Sequence, residues 1–387
     1  MNTIRSLDLK HTEMLAAINQ PLLQWYRQQA RILPWRENPT PYRVWISEIM
    51  LQQTRVEAVK PFFERFLQAL PDIAALAEVE ENVLLKLWEG LGYYNRARNL
   101  QKAARLLRQE YAGQLPEEFD LLLKLPGIGR YTAGAISSIA YGKRCPAVDG
   151  NVLRVVTRLI ACPLDILKDS TKRCIENALQ ESMPPAIDSR DFNQALMELG
   201  AMVCLPKNPH CGQCPLQNLC LAFSERCIEA FPVKKPAKAR RIEKKTILLL
   251  KCKDSIALHQ RPATGLLASL WELPNLSGHI QKDELQRLLA NHGWRQAGIY
   301  ALPACRHVFS HIEWQMIGWE IECVPGNTIQ EENIPYATAK ETQLPWSPLR
   351  FVTLKEACNQ YSIPTAFQYY LSKACRISMP GRRISCK

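Results

Sequence analysis

Residues 125–134 read LPGIGRYTAG and join two helical patterns, 117–124 and 130–140, across a Gly-x-Gly turn. Glycine adopts the left-handed backbone conformation at little cost, and Gly127 and Gly129 also allow another backbone to come close. The amides that open the second helix then point outward, where they can hold a phosphate group. The stretch therefore predicts a helical hairpin that contacts a nucleic acid backbone, and an ordinary helix–helix turn is the alternative.

Two carboxylates lie on either side of this hairpin in the sequence. Asp149 follows Gly129 by twenty residues and precedes Gly150 and Asn151 at the start of an apolar helical pattern, where it could simply cap the helix. Glu48 lies among apolar residues on a predicted helix. An acid in such surroundings has a raised pKa, which suits a general acid, but a surface glutamate on an amphipathic helix fits the same pattern.

Four of the fourteen cysteines lie close together, in the order Cys204-x6-Cys211-x2-Cys214-x5-Cys220. Thiolates at this spacing suit either a tetrahedral zinc ion or an iron–sulfur cluster, and the spacing alone leaves both open. The other ten cysteines are scattered without paired spacing, so we interpret them as ordinary core or surface thiols.

The 387 residues and their composition predict a chain of several parts. Residues 1–231 are mostly helical in pattern, and 232–245 are a basic linker with seven Lys and Arg and one acid. Residues 246–370 predict a separate α+β domain, with a strand pair after the linker, a helix at 282–291 and a strand at 314–324. Residues 371–387 predict a basic tail. The net charge of +12 resides mainly in linker and tail, so the helical region must contact its partner through local features.

No apolar run reaches the roughly 18 residues of a membrane span, and the N-terminus has no apolar segment typical of a secretion signal. We therefore expect a cytoplasmic protein, in the cytosol and nucleoid of a bacterium, with no membrane partner.

Six strings match one known family in order along the chain. The chain resembles the helix–hairpin–helix DNA glycosylases, and within them the adenine glycosylases, on LPWR (33–36), SEIMLQQT (47–54), GLGYYNRARNL (90–100), LPGIGRYTAGAI (125–136), VDGNV (148–152), FNQALMELGA (192–201) and the four-cysteine spacing. The resemblance implies a mostly α N-terminal catalytic region, a six-helix barrel plus an iron–sulfur domain, with a C-terminal α+β Nudix-like domain. It also implies a [4Fe-4S] cluster on the four cysteines.

The implied activity is that of a monofunctional glycosylase in base excision repair. Such an enzyme removes adenine mispaired with 8-oxoguanine or guanine from double-stranded DNA and leaves an abasic site. A glycosylase and lyase for oxidised pyrimidines, similar to endonuclease III, is the alternative, but that branch has a catalytic lysine where this chain has Tyr131. A non-catalytic lesion-binding protein is the second alternative. We expect the chain to act as a monomer.

The resemblance also implies roles for individual residues. Glu48 protonates the adenine, and Asp149 stabilises the sugar cation or traps it covalently. Tyr131 and Asn151 orient Asp149. Further residues are expected to line the adenine pocket or to contact DNA, namely Arg36, Gln52, Gln53, Thr54, Tyr93, Gly127, Gly129 and Gln194.

Among these, Gln53 and Tyr93 are expected to wedge into the base stack beside the lesion, although Tyr93 and Tyr94 could also be core residues. In the C-terminal domain, Phe309, Ser310 and His311 resemble the loop that recognises 8-oxoguanine. The Ser310 hydroxyl can both donate and accept a hydrogen bond there. Taken alone, these three residues would equally fit a turn at the end of a strand. The helix at 282–291 lacks the acidic set of a working Nudix hydrolase, so this domain is predicted to be a reader.

Overall fold

The computed structural model describes residues 9–235, 239–292, 294–323 and 348–374. These divide into two compact units. The first unit holds the described residues up to Val79 and those from Asn95 to 235. The second unit holds Glu80–Tyr94 and the described residues from 239 onward. The segment Glu80–Tyr94 thus belongs to the C-terminal unit, whereas the sequence pattern placed it in the helical region. No helix in the described ranges has the length and apolar character to cross a membrane.

Helices build the first unit and the segment that joins the second. In chain order they are α1 (Leu9–Ala17), α2 (Asn19–Gln29), α3 (Pro34–Glu37), α4 (Pro41–Leu51), α5 (Val56–Ala69), α6 (Ile73–Glu78), α7 (Glu81–Leu87), α8 (Asn95–Glu110), α9 (Phe119–Leu122), α10 (Arg130–Ala135), α11 (Gly150–Leu159), α12 (Asp169–Ser182), α13 (Ala186–Met202) and α14 (Leu221–Ser224). A π-helical turn, Ile136–Ala140, continues α10, and short 3-10 turns follow α13 at Cys211–Gln213, Gln217–Leu219 and Ile228–Ala230.

Two of these helices position the predicted carboxylates, and their ends have clear local causes. The Thr40 side chain caps α4 and Pro41 occupies its first position, where a missing N–H costs nothing. Asp149 caps α11, which packs against α13, and Val156 of α11 and Leu196 of α13 belong to one apolar core with Leu22 of α2. Burial in that core fixes α11, and hence Asp149, relative to the rest of the unit.

A mixed sheet forms the core of the second unit. Its strands are β1 (Arg241–Cys252), β2 (Ser255–Gln260), β3 (Trp271–Glu272), β4 (Asn275–Ser277), β5 (Gln296–Val308), β6 (Ile312–Cys323) and β7 (Leu349–Thr353). The order is β3-β2-β1-β6-β5, with β4 paired to β1 and β7 to β2. Strands β1 and β6 run parallel, and the other pairs are antiparallel.

Helices cover both faces of this sheet. They are α15 (Lys282–Asn291), α16 (Leu354–Gln360) and α17 (Thr365–Ala374). Ile247 and Leu249 of β1 face Phe367 of α17, whereas Leu248 and Leu250 face α15. The apolar run of β1 is therefore continuous because the strand is buried on both faces.

Two domain boundaries and one strand differ from the sequence expectation. Strand β1 begins at Arg241, inside the expected linker 232–245, because its charged N-terminal half pairs in register with β6. Helix α17 extends to Ala374, inside the expected tail, because Leu371 and Ala374 pack against the sheet. The remainder of the tail and residues 236–238 of the linker lie outside the described residues. Strand β5 was not predicted, since Pro303 and two register shifts interrupt its alternation.

Candidate active site

One cavity of the first unit, of about 580 Å³, brings the two predicted carboxylates together. We call it the carboxylate pocket, because Glu48 from α4 and Asp149 from α11 both line it. Other predicted residues that line it are Arg36, Gln52, Gln53, Thr54, Gly129, Tyr131, Asn151 and Gln194. Tyr93, Phe309, Ser310 and His311 belong to the second unit.

Glu48 is almost completely buried on α4 among apolar neighbours. Burial, with a smaller contribution from the nearby Asp149, raises the pKa of Glu48 to about 7 despite the opposing hydrogen bond from Tyr131. The carboxyl group is therefore protonated in a large fraction of molecules near neutral pH. This is the property that a general acid requires.

Asp149 has a different environment, rich in hydrogen-bond donors. Its Oδ1 accepts from the backbone N–H groups of Asn151 at 2.9 Å and Val152 at 2.7 Å, and its Oδ2 accepts from Asn151 Nδ2 at 2.8 Å. Burial raises the pKa of Asp149, whereas these bonds and the Arg154 charge oppose that rise. Three donors stabilise the ionised form of Asp149. The same hydrogen bonds that make Asp149 the cap of α11 therefore also suit it to act as an ionised carboxylate.

The side chain of Tyr131 is oriented differently from the sequence expectation. It was expected to orient Asp149, but its hydroxyl donates a hydrogen bond to Glu48 Oε2. Tyr131 lies in the first turn of α10, which packs against α4, and this packing points the phenol at Glu48. Burial raises the pKa of Tyr131 well above its usual value, so the phenol remains a neutral donor. Asn151 contacts Asp149 as expected.

The position of Arg36 depends on Glu198, a pocket residue that the sequence analysis missed. Glu198 lies on α13, four residues after Gln194, and its buried carboxylate accepts from Arg31 Nε at 2.7 Å and from Arg36 Nη2 at 2.9 Å. Burial alone would raise its pKa, but the hydrogen bonds from both arginines hold the pKa of Glu198 at about 2. The i,i+4 spacing of Gln194 and Glu198 within FNQALMELGA is the signal that could have identified it.

Helix α4 ends at Leu51, and an arginine from α8 holds the next turn. Arg96 Nη1 donates to the carbonyls of Ile49 at 2.8 Å, Met50 at 2.9 Å and Gln52 at 2.7 Å. A cation at a helix C-terminus satisfies carbonyls that have no partner inside the helix. Gln53 follows in the left-handed region, with a φ of 58°.

The predicted hairpin forms, but its two glycines have different roles. Gly127 has a φ of +80°, and an added Cβ would lie 2.7 Å from Asn99 Cβ, so both conformation and space require glycine. Gly129 is extended, with a φ of −94°, and an added Cβ would meet open space. The expectation of a left-handed conformation therefore holds only for Gly127, because Gly129 already serves as the N-cap of α10.

Cys204, Cys211, Cys214 and Cys220 converge on one small cavity of the first unit. Burial raises the pKa of Cys214 to about 12 and also raises the pKa of Cys211 and Cys220. The side chains would therefore bind a positively charged centre as thiolates and release protons on binding it. Four thiols around one cavity supply the ligand type that an iron–sulfur cluster uses.

Two buried arginines of α11 connect this cysteine segment to the carboxylate pocket through hydrogen bonds. Arg158 Nη1 lies 3.4 Å from Cys204 Sγ, and Arg154 Nε donates to the Cys204 carbonyl at 2.8 Å. The same Arg154 donates through Nη2 to Asn151 Oδ1 at 3.0 Å. One chain of hydrogen bonds thus connects Cys204 to the residue that holds Asp149.

In the second unit, Phe309, Ser310 and His311 form the turn between β5 and β6. Phe309 N donates to Ile312 O at 2.8 Å, and the Phe309 ring packs edge-on against Trp314. The hydroxyls of Ser310 and Tyr93 lie 2.9 Å apart in a hydrogen bond. Two residues predicted to contact DNA from distant parts of the sequence are therefore adjacent.

Comparison with known families is consistent with this geometry. A model described as "HhH-GPD superfamily base excision DNA repair protein" matches residues 46–185, an "Iron-sulfur binding domain of endonuclease III" matches 204–220, and a "NUDIX domain" matches 246–373. The second match resolves the choice between zinc and iron–sulfur that the cysteine spacing left open.

Two similar whole proteins are described as adenine DNA glycosylases. The mouse adenine DNA glycosylase is 35% identical over 81% of this chain and 72% of its own length, and that of Buchnera aphidicola subsp. Schizaphis graminum is 35% identical over 77% and 86%. A solved thermostable thymine-DNA glycosylase is 27% identical, with a TM-score of 0.50, over 56% of this chain and 98% of its own. The chain belongs to the adenine DNA glycosylase family.

Proposed function

We propose that the chain hydrolyses the N-glycosidic bond of adenine mispaired with 8-oxoguanine or guanine in duplex DNA. The observation that carries this proposal is the pair of unlike carboxyl groups in the carboxylate pocket. Glu48 is buried with one phenol donor, whereas Asp149 accepts three hydrogen bonds. Two carboxyl groups with opposite protonation are what acid-assisted cleavage of a glycosidic bond requires.

The reaction begins with adenine flipped out of the duplex, because the bond is shielded inside the helix. Glu48 donates its proton to adenine N7, so the base leaves as a neutral molecule. The bond electrons go to the base, and the sugar becomes oxocarbenium-like. Ionised Asp149 stabilises that cation or traps it covalently, and water then adds to the sugar carbon, gives its proton to the Glu48 carboxylate and leaves an abasic site.

Other residues of the pocket hold these groups in place. Tyr131 keeps the Glu48 carboxyl group oriented, and Asn151 keeps Asp149 oriented. Arg36, held by Glu198, and Gln194 line the same pocket, and we expect both to contact the flipped adenine. Tyr131 also argues against the lyase alternative, since a phenol cannot form the Schiff base that strand cleavage needs.

We infer that the cluster is of the [4Fe-4S] type, with Cys204, Cys211, Cys214 and Cys220 as ligands. When bound, such a cluster supplies a metal centre that crosslinks four thiolates and fixes the segment between them. Arg154 and Arg158 hold that segment against α11. Lys207 and His210, in the same segment, are proposed to contact phosphate in double-stranded DNA.

The turn Phe309–His311 is proposed to read the base opposite adenine, with the Ser310 hydroxyl against the N7 and O8 edge of 8-oxoguanine. The basic linker adds salt-dependent binding to the duplex. Action as a monomer and a cytoplasmic location remain predictions.

The test is single-turnover adenine release from duplexes containing A:8-oxoG or A:G, with a thymine-glycol duplex as the third substrate. We expect adenine release from the first two, faster from A:8-oxoG, and no strand break without alkali. A Glu48→Gln variant should lose about 10²- to 10⁴-fold in rate, the usual contribution of a general acid. Absence of adenine release from A:8-oxoG by the wild type would refute the proposal.

A second comparison tests the reader. Ser310→Ala should slow release from A:8-oxoG more than release from A:G. An equal loss on both duplexes would show that Ser310 does not read the opposite base.

A further inference from the structure

The chain crosses between the two units three times, although its sequence shows one linker. It leaves the first unit after Val79, returns at Asn95, and crosses again between 235 and 239. The inserted segment, Glu80–Tyr94, consists of α7 and the loop that ends in Tyr93. The placement of Tyr93 is therefore set by contacts that this segment makes inside the second unit.

Lys86 makes the first set of these contacts. Its Nζ donates to Glu89 Oε2 at 2.5 Å, to the Cys358 carbonyl at 2.6 Å and to the Tyr361 carbonyl at 3.0 Å. Both carbonyls lie at the C-terminal end of α16, where backbone carbonyls have no helical partner and a cation is favourable. Lys86 therefore caps a helix that follows it by more than 260 residues in the sequence.

Glu89 makes the second set. Its Oε2 accepts from Lys86, and its Oε1 accepts from the Ile363 backbone N–H at 3.1 Å. The Lys86 and Glu89 side chains are only 23% and 20% exposed, respectively. An exposed ion pair contributes little to stability, but this partly buried pair also satisfies two carbonyls at the C-terminal end of α16 and one backbone N–H between α16 and α17. We call the two residues the Lys86–Glu89 clip.

The loop after the clip is held in a defined shape. Trp88 Nε1 donates to the Gly92 carbonyl at 3.1 Å, and Gly90 and Gly92 have positive φ angles of 104° and 68°. Tyr93 follows with a φ of 49°, keeps about half of its surface exposed, and bonds Ser310 through its hydroxyl. The aromatic ring is therefore presented at the end of a short loop with an attachment at each end.

We propose that Lys86 and Glu89 are positioning residues that hold Tyr93 against Ser310, so that the base-stack wedge and the reader of the opposite base act as one unit. This inference rests on the proposed function, which supplies the roles of Tyr93 and Ser310. The clip fixes the start of the loop, so the Tyr93 hydroxyl meets Ser310 before DNA arrives. Such preorganisation lowers the ordering cost of binding the damaged base pair.

The test uses Lys86→Met, which keeps most of the aliphatic stem and removes the charge, and Glu89→Gln, which keeps an acceptor for Ile363. The matched control is Lys60→Met, because the Lys60–Glu57 pair has the same i,i+3 spacing within α5. In the full-length protein without DNA, amide hydrogen exchange of residues 88–94 should be faster in Lys86→Met than in the wild type and the control. Unchanged exchange would overturn the proposal, whatever the enzyme's substrate.

Single-turnover kinetics form the second arm. Lys86→Met should lower the rate on A:8-oxoG by about tenfold, the effect of one lost hydrogen bond to a charged group, and the rate on A:G less. Glu89→Gln should have a smaller effect of the same kind. If Lys86→Met does not fold, Glu89→Gln alone carries the comparison.

The double variant with Ser310→Ala separates positioning from a general loss of structure. In the Ser310→Ala background, the preference for A:8-oxoG should no longer respond to Lys86→Met, because the target of the positioning is gone. An additive loss, or equal losses on both duplexes, would overturn the positioning role. If the wild type releases no adenine from A:8-oxoG, the proposed function fails instead, and hydrogen exchange still reports on the clip.

Discussion

Tyr131 donates its hydroxyl hydrogen bond to Glu48, the more buried of the two predicted carboxyl groups, Glu48 and Asp149, in the carboxylate pocket. The bond stabilises the ionised form of Glu48 and so opposes burial, which raises the pKa of Glu48 to about 7 despite this bond. The proton affinity of the proposed acid is therefore a balance between burial and one phenol, and this balance can be tested by substitution.

Replacing Tyr131 by phenylalanine removes the donor and leaves the ring. We expect the pKa of Glu48 to rise further, so the alkaline limb of the rate profile should move to higher pH. The maximal rate should fall by about tenfold, because the carboxyl group loses its orienting hydrogen bond. Single-turnover rates measured from pH 5 to 9 check this. The control is Tyr141→Phe, whose hydroxyl bonds the Leu115 carbonyl away from the pocket. If the alkaline limb of the rate profile stays in place, the Tyr131 hydroxyl does not lower the pKa of Glu48.

The buried Glu48 should make the folded protein less stable as pH rises. Its pKa is higher in the folded state, at about 7, than the usual 4.5 of an unfolded chain, so the stabilising effect of protonation is complete below about pH 4.5 and is lost as pH rises through 7. Glu48→Gln lacks this dependence. Its free energy of unfolding should therefore rise by about 2–3 kcal/mol relative to that of the wild type between pH 4.5 and 7. Urea unfolding of both proteins at a series of pH values measures the difference, and a constant difference would argue against burial as the cause.

The buried Glu198 should contribute strongly to stability because it serves two arginines. Glu198→Gln should lower the free energy of unfolding by about 3–5 kcal/mol at pH 7, since Arg31 and Arg36 lose their common partner. With a folded-state pKa of about 2, its contribution is present above the unfolded pKa near 4.5 and is lost as pH falls toward 2. Asp188→Asn, at the more exposed Arg27 pair, is the control and should cost less than about 1 kcal/mol. Similar losses in both would disprove this role.

The two hairpin glycines should respond differently to alanine. Gly127→Ala places a Cβ 2.7 Å from Asn99 Cβ at a positive φ, and should cost at least about 1–2 kcal/mol of stability. It should also weaken binding to an undamaged duplex. Gly129→Ala meets open space, and its effect on stability should stay within about 1 kcal/mol. Denaturant unfolding and duplex titration at fixed salt compare the pair. Equal destabilisation would show that conformation at Gly127 is not the cause.

Local pattern was sufficient for several features of the site. The helix that carries Glu48, the cap formed by Asp149 and the turn at Gly127 depend on residues within a few positions of each other. The helix at 282–291 was predicted with the same bounds for this reason. Strand β5 was not predicted, because Pro303 and its register shifts hide the alternation that would have marked it.

The sequence by itself determined the helical hairpin, the two acidic residues behind it and the four-cysteine spacing, because each depends on the local backbone and on side-chain chemistry. Only the tertiary structure decided which groups are partners. The hydrogen bonds of Tyr131 to Glu48, of Glu198 to Arg31, of Lys86 to the end of α16 and of Tyr93 to Ser310 each join residues more than 80 positions apart. Such pairs follow from which helix and sheet faces pack together, and burial at those contacts sets the pKa of the acids they surround.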